Sequence, residues 1–330
     1  MSTCATASRQ LGEPLSATAP TATTWLLLEQ PGPWGAEALT SSHLDPVLGR
    51  ALERAAQGTG VRVALIRRPG RHADCHTPSM RHVYAAHTLP GATWLHGAVT
   101  AAPEQLLDLD FTALGRGDHH TFDTVLTGGP HTAGPLALVC TNGRRDRCCA
   151  LLGRPLAAEL ASRGVRDTWE VSHLGGHRFS PTLLVLPHGY AYGRAEARLV
   201  EEALHGVREG RVVLDGCRGR SAWERPAQAA ELAVREAAGE YRADALTVVR
   251  TAPLAVPGVP DPARAPRPEG AAPCWEVTVA HVDGRRWHVT VARGASGPPR
   301  AESCGASALG TPARMDVLAV RELAVPGPHH

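Results

Sequence analysis

Between Pro135 and Arg208, short apolar runs alternate with helix-patterned stretches in the order β-α-β-β-β-α. A chain with that order buries its apolar faces by layering helices on a sheet, as an α/β unit. Leu136–Val139 reads as a strand that delivers Cys140 at its end. Pro155 stands where a first helical turn tolerates it, Leu156–Ser162 continues the helix, and Gly164 stops it. Thr168–Val171 and Leu183–Leu186 read as strands, and Gly189–Gly193 as a strand turning back. Ala195–Arg208 closes the unit as a helix, with Leu199, Val200, Ala203, Leu204 and Val207 on one face.

The flanking sequence divides into further units. Residues 1–23 are polar and Ala/Thr/Pro-rich and read as a disordered tail. Residues 24–134 read as an N-terminal α/β unit. It has strands at Trp25–Glu29, Val61–Ile66, His82–His87 and Thr93–Val99, a helix at Leu44–Ala56, and a polar linker or long loop at Gly115–Thr132. Residues 135–210 form the unit described above. Residues 211–330 read as an α+β extension with a helix at Pro226–Ala238 and a Pro-rich exposed loop at Pro253–Pro273. A hairpin follows, Trp275–Val282 and Arg286–Arg293 around Asp283-Gly284, and Val317–Leu323 can add a strand. No repeat period is detectable.

Charge and hydropathy exclude two function classes. The net charge is +2, Lys is absent, and Arg is interspersed with acid rather than gathered into the basic stripe that nucleic acid requires. No segment approaches the apolar run that spans a bilayer. Met1–Thr23 lacks a charged, then apolar, leader pattern. The expectation is a cytoplasmic protein that uses neither nucleic acid nor membrane.

Of eight cysteines, Cys4, Cys75, Cys217, Cys274 and Cys304 are scattered singly and read as buried small hydrophobes. Cys140, Cys148 and Cys149 cluster within Cys140-Thr-Asn-Gly-Arg-Arg-Asp-Arg-Cys148-Cys149. His173-Leu-Gly-Gly-His177 follows the next strand, and its two glycines favour a tight loop over a helix. Soft thiolates with imidazoles suit zinc or an iron–sulfur cluster and suit hard cations poorly. The residues alone leave other readings open: a Cys₂His₂ zinc site, a Cys148–Cys149 redox pair, or core thiols near a turn. The His-x₃-His spacing fits zinc, whereas eight residues between the thiolates exceed the usual zinc spacing.

Cys140–Cys149, Trp169-Glu-Val-Ser-His-Leu-Gly-Gly-His-Arg-Phe179 and Leu186-Pro-His-Gly-Tyr-Ala-Tyr-Gly-Arg194 closely resemble the sucrase/ferredoxin-like family. The likeness extends back to Trp25-Leu-Leu-Leu-Glu-Gln-Pro-Gly-Pro-Trp-Gly35 and forward to Cys217-Arg-Gly-Arg-Ser221. It implies a thioredoxin-like ferredoxin fold carrying a 2Fe–2S cluster on two cysteines and two histidines. Carried over by residue, the ligands are Cys140, Cys149, His173 and His177, with Cys148 the alternate thiolate. Where members often show His two residues after the first Cys, this chain has Asn142. No pair of carboxylates suits sugar cleavage.

Asp146, Arg145 and Arg178 are expected as hydrogen-bond partners of the ligands and cluster sulfurs. His119-His120, His188, His329 and His330 read as solvated or structural, as do Cys217 and Cys304. The expected function is one-electron transfer between a reductase and an acceptor protein, a carrier rather than an enzyme. A zinc-stabilised module and a thiol–disulfide redox protein are the alternatives.

Overall fold

The computed structural model describes residues 3–70, 80–254, 272–295 and 297–324. Cys75, His329, His330 and most of the Pro-rich stretch lie outside them.

The N-terminal segment departs from the expected disordered tail. Thr3 accepts the Thr6 N–H at 3.1 Å and starts α1 (Cys4–Gln10), which buries Cys4, Ala5 and Ser8. Glu13 is then locked between Arg178 at 2.7 Å and Arg300 at 2.8 Å, and Ala17, Ala19 and Ala22 are buried. The partners that order this segment are hundreds of residues away, so local composition carries no trace of them.

The next strands and helices are β1 (Thr24–Glu29), α2 (Pro46–Ala56), β2 (Val61–Arg67), β3 (Arg81–His87) and β4 (Trp94–Thr100). Then come α3 (Phe111–Gly115), α4 (His120–Leu126) and β5 (Gly129–Pro130). α4 and β5 occupy the stretch expected as a linker, where Phe122 and Leu126 reach the core. The second stretch runs β6 (Leu136–Cys140), α5 (Arg154–Ser162), β7 (Thr168–Val171), β8 (Leu183–Leu186), β9 (Tyr190–Tyr192), α6 (Ala197–Arg208) and β10 (Cys217–Arg220).

All ten strands join one sheet in the order β10-β9-β8-β6-β7-β2-β1-β3-β4-β5. The order is palindromic. In each half the first strand runs parallel to the second across a helix and antiparallel to the third, which pairs antiparallel with the fourth. The halves meet where β2 pairs antiparallel with β7, Ile66 opposite Val171 and Arg67 opposite Glu170. The duplication is one of topology, which a search for repeated residues does not detect. Cys140 ends the first strand of the second half, and Glu29 ends its counterpart in the first.

Alternation along the strands sorts the core. Trp25 and Leu27 pack with Leu138, Cys140, Trp169 and Val171 in one cluster spanning both halves. Leu26 and Leu28 pack instead with Leu48 and Leu52 of α2, while Ala137 and Val139 pack with Leu160 of α5 and Val200 of α6. The molecule is thus α/β, as its patterning predicts.

α7 (Arg225–Ala238) lies on a second sheet, β11 (Leu246–Pro253), β12 (Cys274–His281), β13 (Arg286–Ala295) and β14 (Ala313–Glu322), paired antiparallel in that order. Ala230 and Val234 meet Val277, Val279 and Val289 there. No helix among the described residues is long and apolar enough to cross a membrane.

Candidate metal centre

β6 is buried throughout and carries Cys140 to the edge of the shared core. The chain then turns at Asn142, whose Oδ1 accepts the Arg144 N–H at 3.1 Å and whose Nδ2 donates to the Gly35 carbonyl at 2.9 Å. Asp146 takes the Cys148 N–H at 2.8 Å. Cys149 opens a π-type turn, Cys149–Gly153, that runs into α5. Such turns recur at functional sites because they re-aim a side chain within a helix. Gly153 is required here, since a Cβ would run into the Cys140 carbonyl oxygen. The result brings Cys140 Sγ and Cys149 Sγ to 3.5 Å, both buried.

The histidine loop leaves the end of β7. The Ser172 N–H donates to the Leu65 carbonyl at 2.9 Å, and Ser172 Oγ accepts the Leu65 N–H at 3.1 Å, so the loop is anchored on β2. Gly175 and Gly176 have φ of 79° and 72°, a left-handed pair that turns the chain sharply. His173 and His177 thereby stack with ring centroids 4.9 Å apart. His177 Nδ1 lies 3.7 Å from Cys149 Sγ. His173 Nδ1 is buried without a hydrogen-bond partner among the described residues. A buried orphan of this kind calls for a partner such as an ion.

The electrostatics suit ligation. Hydrogen bonding from Cys149, against burial and with help from His173, holds the Cys140 thiol well below its ordinary range. Sharing that proton and burial push Cys149 up. Burial, then the neighbouring His173, lowers His177, which favours the neutral imidazole that binds metals.

The structure therefore brings the four predicted residues together. Cys149 rather than Cys148 faces Cys140. The four donors do not converge on a single point, however. Among the described residues, the donor sets lying within 4.8 Å of one another are Cys4/Asp146/Cys148/Cys304 and His96/His119/Asp123. In the second set both histidines bond Asp123, through Nδ1 at 2.7 and 2.8 Å.

The expected helpers are placed unevenly. Asp146 is buried and organises the loop, whereas Arg145 is exposed. Arg178 is turned to Glu13 at 2.7 Å and Glu302 at 3.4 Å. Two arginines that sequence reasoning missed hold the histidine loop instead. Arg62 donates to the His173 carbonyl at 3.2 Å, and Arg218 to the Gly175 carbonyl at 3.2 Å. Arg218 is buried within β10, and burial lowers it to about 9. The signal available was Cys217-Arg-Gly-Arg-Ser, charged residues in a wholly buried strand. Cys217 is buried in that strand, with its thiol raised to about 12 by burial. His188 is buried, lowered to about 4 by burial and Arg220. Cys4 and Cys304 are not isolated: both sulfurs touch Cys148.

The family model described as sucrase/ferredoxin-like matches residues 15–219, more than half of the chain. No curated protein and no solved structure matches it.

Proposed function

The chain belongs to the sucrase/ferredoxin-like family, and from that premise we propose that it is a one-electron carrier holding a 2Fe–2S cluster on Cys140, Cys149, His173 and His177. One observation carries the reading. Two buried thiols 3.5 Å apart face two stacked imidazoles, and His173 Nδ1 is buried with no partner among the described residues. When bound, such a cluster takes up or gives up one electron at a time.

The spread of the donors supports a binuclear centre over a single zinc. One tetrahedral zinc would draw all four donors within about 4 Å of one another. These four fall outside every set that converges within 4.8 Å. The strand order β7-β6-β8-β9, with the first pair parallel and the rest antiparallel, supports a thioredoxin-like ferredoxin unit. The N-terminal half then repeats that arrangement with Glu29 at the position corresponding to Cys140.

The chain's own residues set the environment. Glu170 binds Arg67 at 2.7 Å and Thr141 at 2.8 Å, fixing the cysteine loop to both halves of the sheet. Half-buried Arg62 and buried Arg218 place positive charge beside the site and favour its reduced form. His173, Gly175, Gly176 and His177 are half-buried, so the histidine edge is the side open to a partner. The partners are a reductase and an acceptor protein, and the compartment that suits this chemistry is the cytoplasm.

The test is metal analysis and absorption of full chain purified anaerobically with iron supplied. The reading requires red-brown protein with about two irons and two sulfides per chain, bleaching on reduction. A colourless product, or one whose activity is thiol exchange through Cys148 without iron, would refute it.

A further inference from the structure

On the other side of the cysteine loop, three cysteines from distant parts of the chain meet. Cys4 comes from α1, Cys148 from the loop, and Cys304 from the segment between β13 and β14. Their sulfurs close a triangle, with Cys4–Cys148 at 3.4 Å, Cys148–Cys304 at 3.2 Å and Cys304–Cys4 at 3.6 Å. None is in a disulfide. Asp146 completes the group: all four donors lie within 4.8 Å of one another, and Oδ1 is 3.9 Å from Cys4 Sγ.

The same carboxylate aligns the group. Its Oδ1 accepts the Cys148 N–H at 2.8 Å and its Oδ2 accepts the Cys304 N–H at 2.9 Å. Both chain ends are independently docked here, since Glu13 binds Arg300 at 2.8 Å. Three thiols cannot all be paired as disulfides, whereas one ion can bind all three. With metal–sulfur bonds of about 2.3 Å, a regular tetrahedron sets its sulfurs about 3.8 Å apart, so the triangle needs to open by only a few tenths of an ångström.

We propose that Cys4, Cys148 and Cys304, with Asp146 as fourth donor, bind one zinc ion that fastens both ends of the chain to the cysteine loop. Thiolates select zinc among the common divalent ions, and binding displaces the thiol protons without any redox step. Its ligands are distinct from the four assigned to the iron cluster, although Cys148 and Cys149 are adjacent.

The full chain, expressed with iron and zinc supplied and purified anaerobically, is assayed for both metals and by X-ray absorption at the zinc edge. The expected result is one zinc per chain with three sulfur neighbours at about 2.3 Å. Zinc should fall about tenfold or more in Cys4→Ser and in Cys304→Ser, with iron and visible absorption kept. Cys304 is exposed, so its variant leaves the core intact. His173→Ala should keep zinc. If zinc follows this pattern the site stands whether or not iron is found, which separates it from the electron-carrier reading. The proposal is overturned by a zinc-free parent or by a disulfide among the three cysteines in place of metal. It is equally overturned if zinc survives the Cys4→Ser/Cys304→Ser double variant, or if Cys304→Ser loses both metals.

Discussion

Cys148 and Cys149 are consecutive residues whose sulfurs enter different donor sets. Cys149 Sγ lies 3.5 Å from Cys140, and Cys148 Sγ lies 3.4 Å from Cys4. The peptide between them separates the two donor sets, and on the roles proposed for those sets substitution at each position should have a different readout.

Cys149→Ser should lose most of its iron and its visible absorption, because a hydroxyl is a poor ligand for these irons. Cys148→Ser should keep both. Iron and sulfide analysis decides, and the reverse pattern would shift the ligand assignment by one residue.

His173→Cys should still assemble a cluster, since thiolate is the commoner ligand, but with added negative charge. The reduction potential should drop by on the order of 100 mV or more, in line with the gap between histidine-ligated and all-cysteine centres. Potentiometric titration followed by absorption measures it. A potential equal to or above the parent's contradicts the charge argument.

Much of this arrangement is legible in the sequence. Most strands of both halves, with α2, α5, α6 and α7, follow from apolar periodicity and Pro or Gly punctuation, whereas the two-residue β5 and the charged β10 carry no such pattern. The cysteine and histidine clustering draws attention to the candidate site, and the family resemblance supplies its ligand set. What is not legible depends on contacts between distant segments. α1 is too poor in apolar residues to announce itself; it packs on Cys148, and Glu13 just beyond it is held by Arg178 and Arg300. Cys4, Cys148 and Cys304 look isolated or ambiguous because folding alone brings them together. The roles of Arg62 and Arg218 emerge only once folding sets their strands beside the histidine loop. The duplicated topology escapes notice because the two halves share a fold pattern rather than residues.

Gly153→Ala should destabilise the chain by about 1–3 kcal/mol, the usual cost of forcing a methyl into a packed site. The clash falls on the Cys140 carbonyl, so the cysteine loop should loosen as well. Urea unfolding of the metal-free protein, with thiol accessibility of Cys140, reports both effects. An unchanged midpoint would mean that the π-type turn yields without cost.

Acid should weaken the fold through two buried histidines. Burial, then Arg220, lowers both His87 and His188 to about 4. An unfolded histidine titrates near 6.5, so between those values the unfolded chain binds more protons and stability falls as pH falls. Their contribution is complete above pH ~6.5 and is lost toward pH ~4, at most about 3 kcal/mol for each histidine. His87→Gln should flatten this slope in urea titrations across that range. A slope as steep as the parent's would remove His87 from the account.

The central claim is that two imidazoles of this chain bind the irons. Pulsed electron paramagnetic resonance of the reduced full chain tests it, because directly bound nitrogen couples strongly to the unpaired spin. The account predicts two strongly coupled nitrogens, one disappearing in His173→Cys and the other in His177→Cys. A reduced cluster with no strongly coupled nitrogen, or with couplings that both variants leave unchanged, would contradict it.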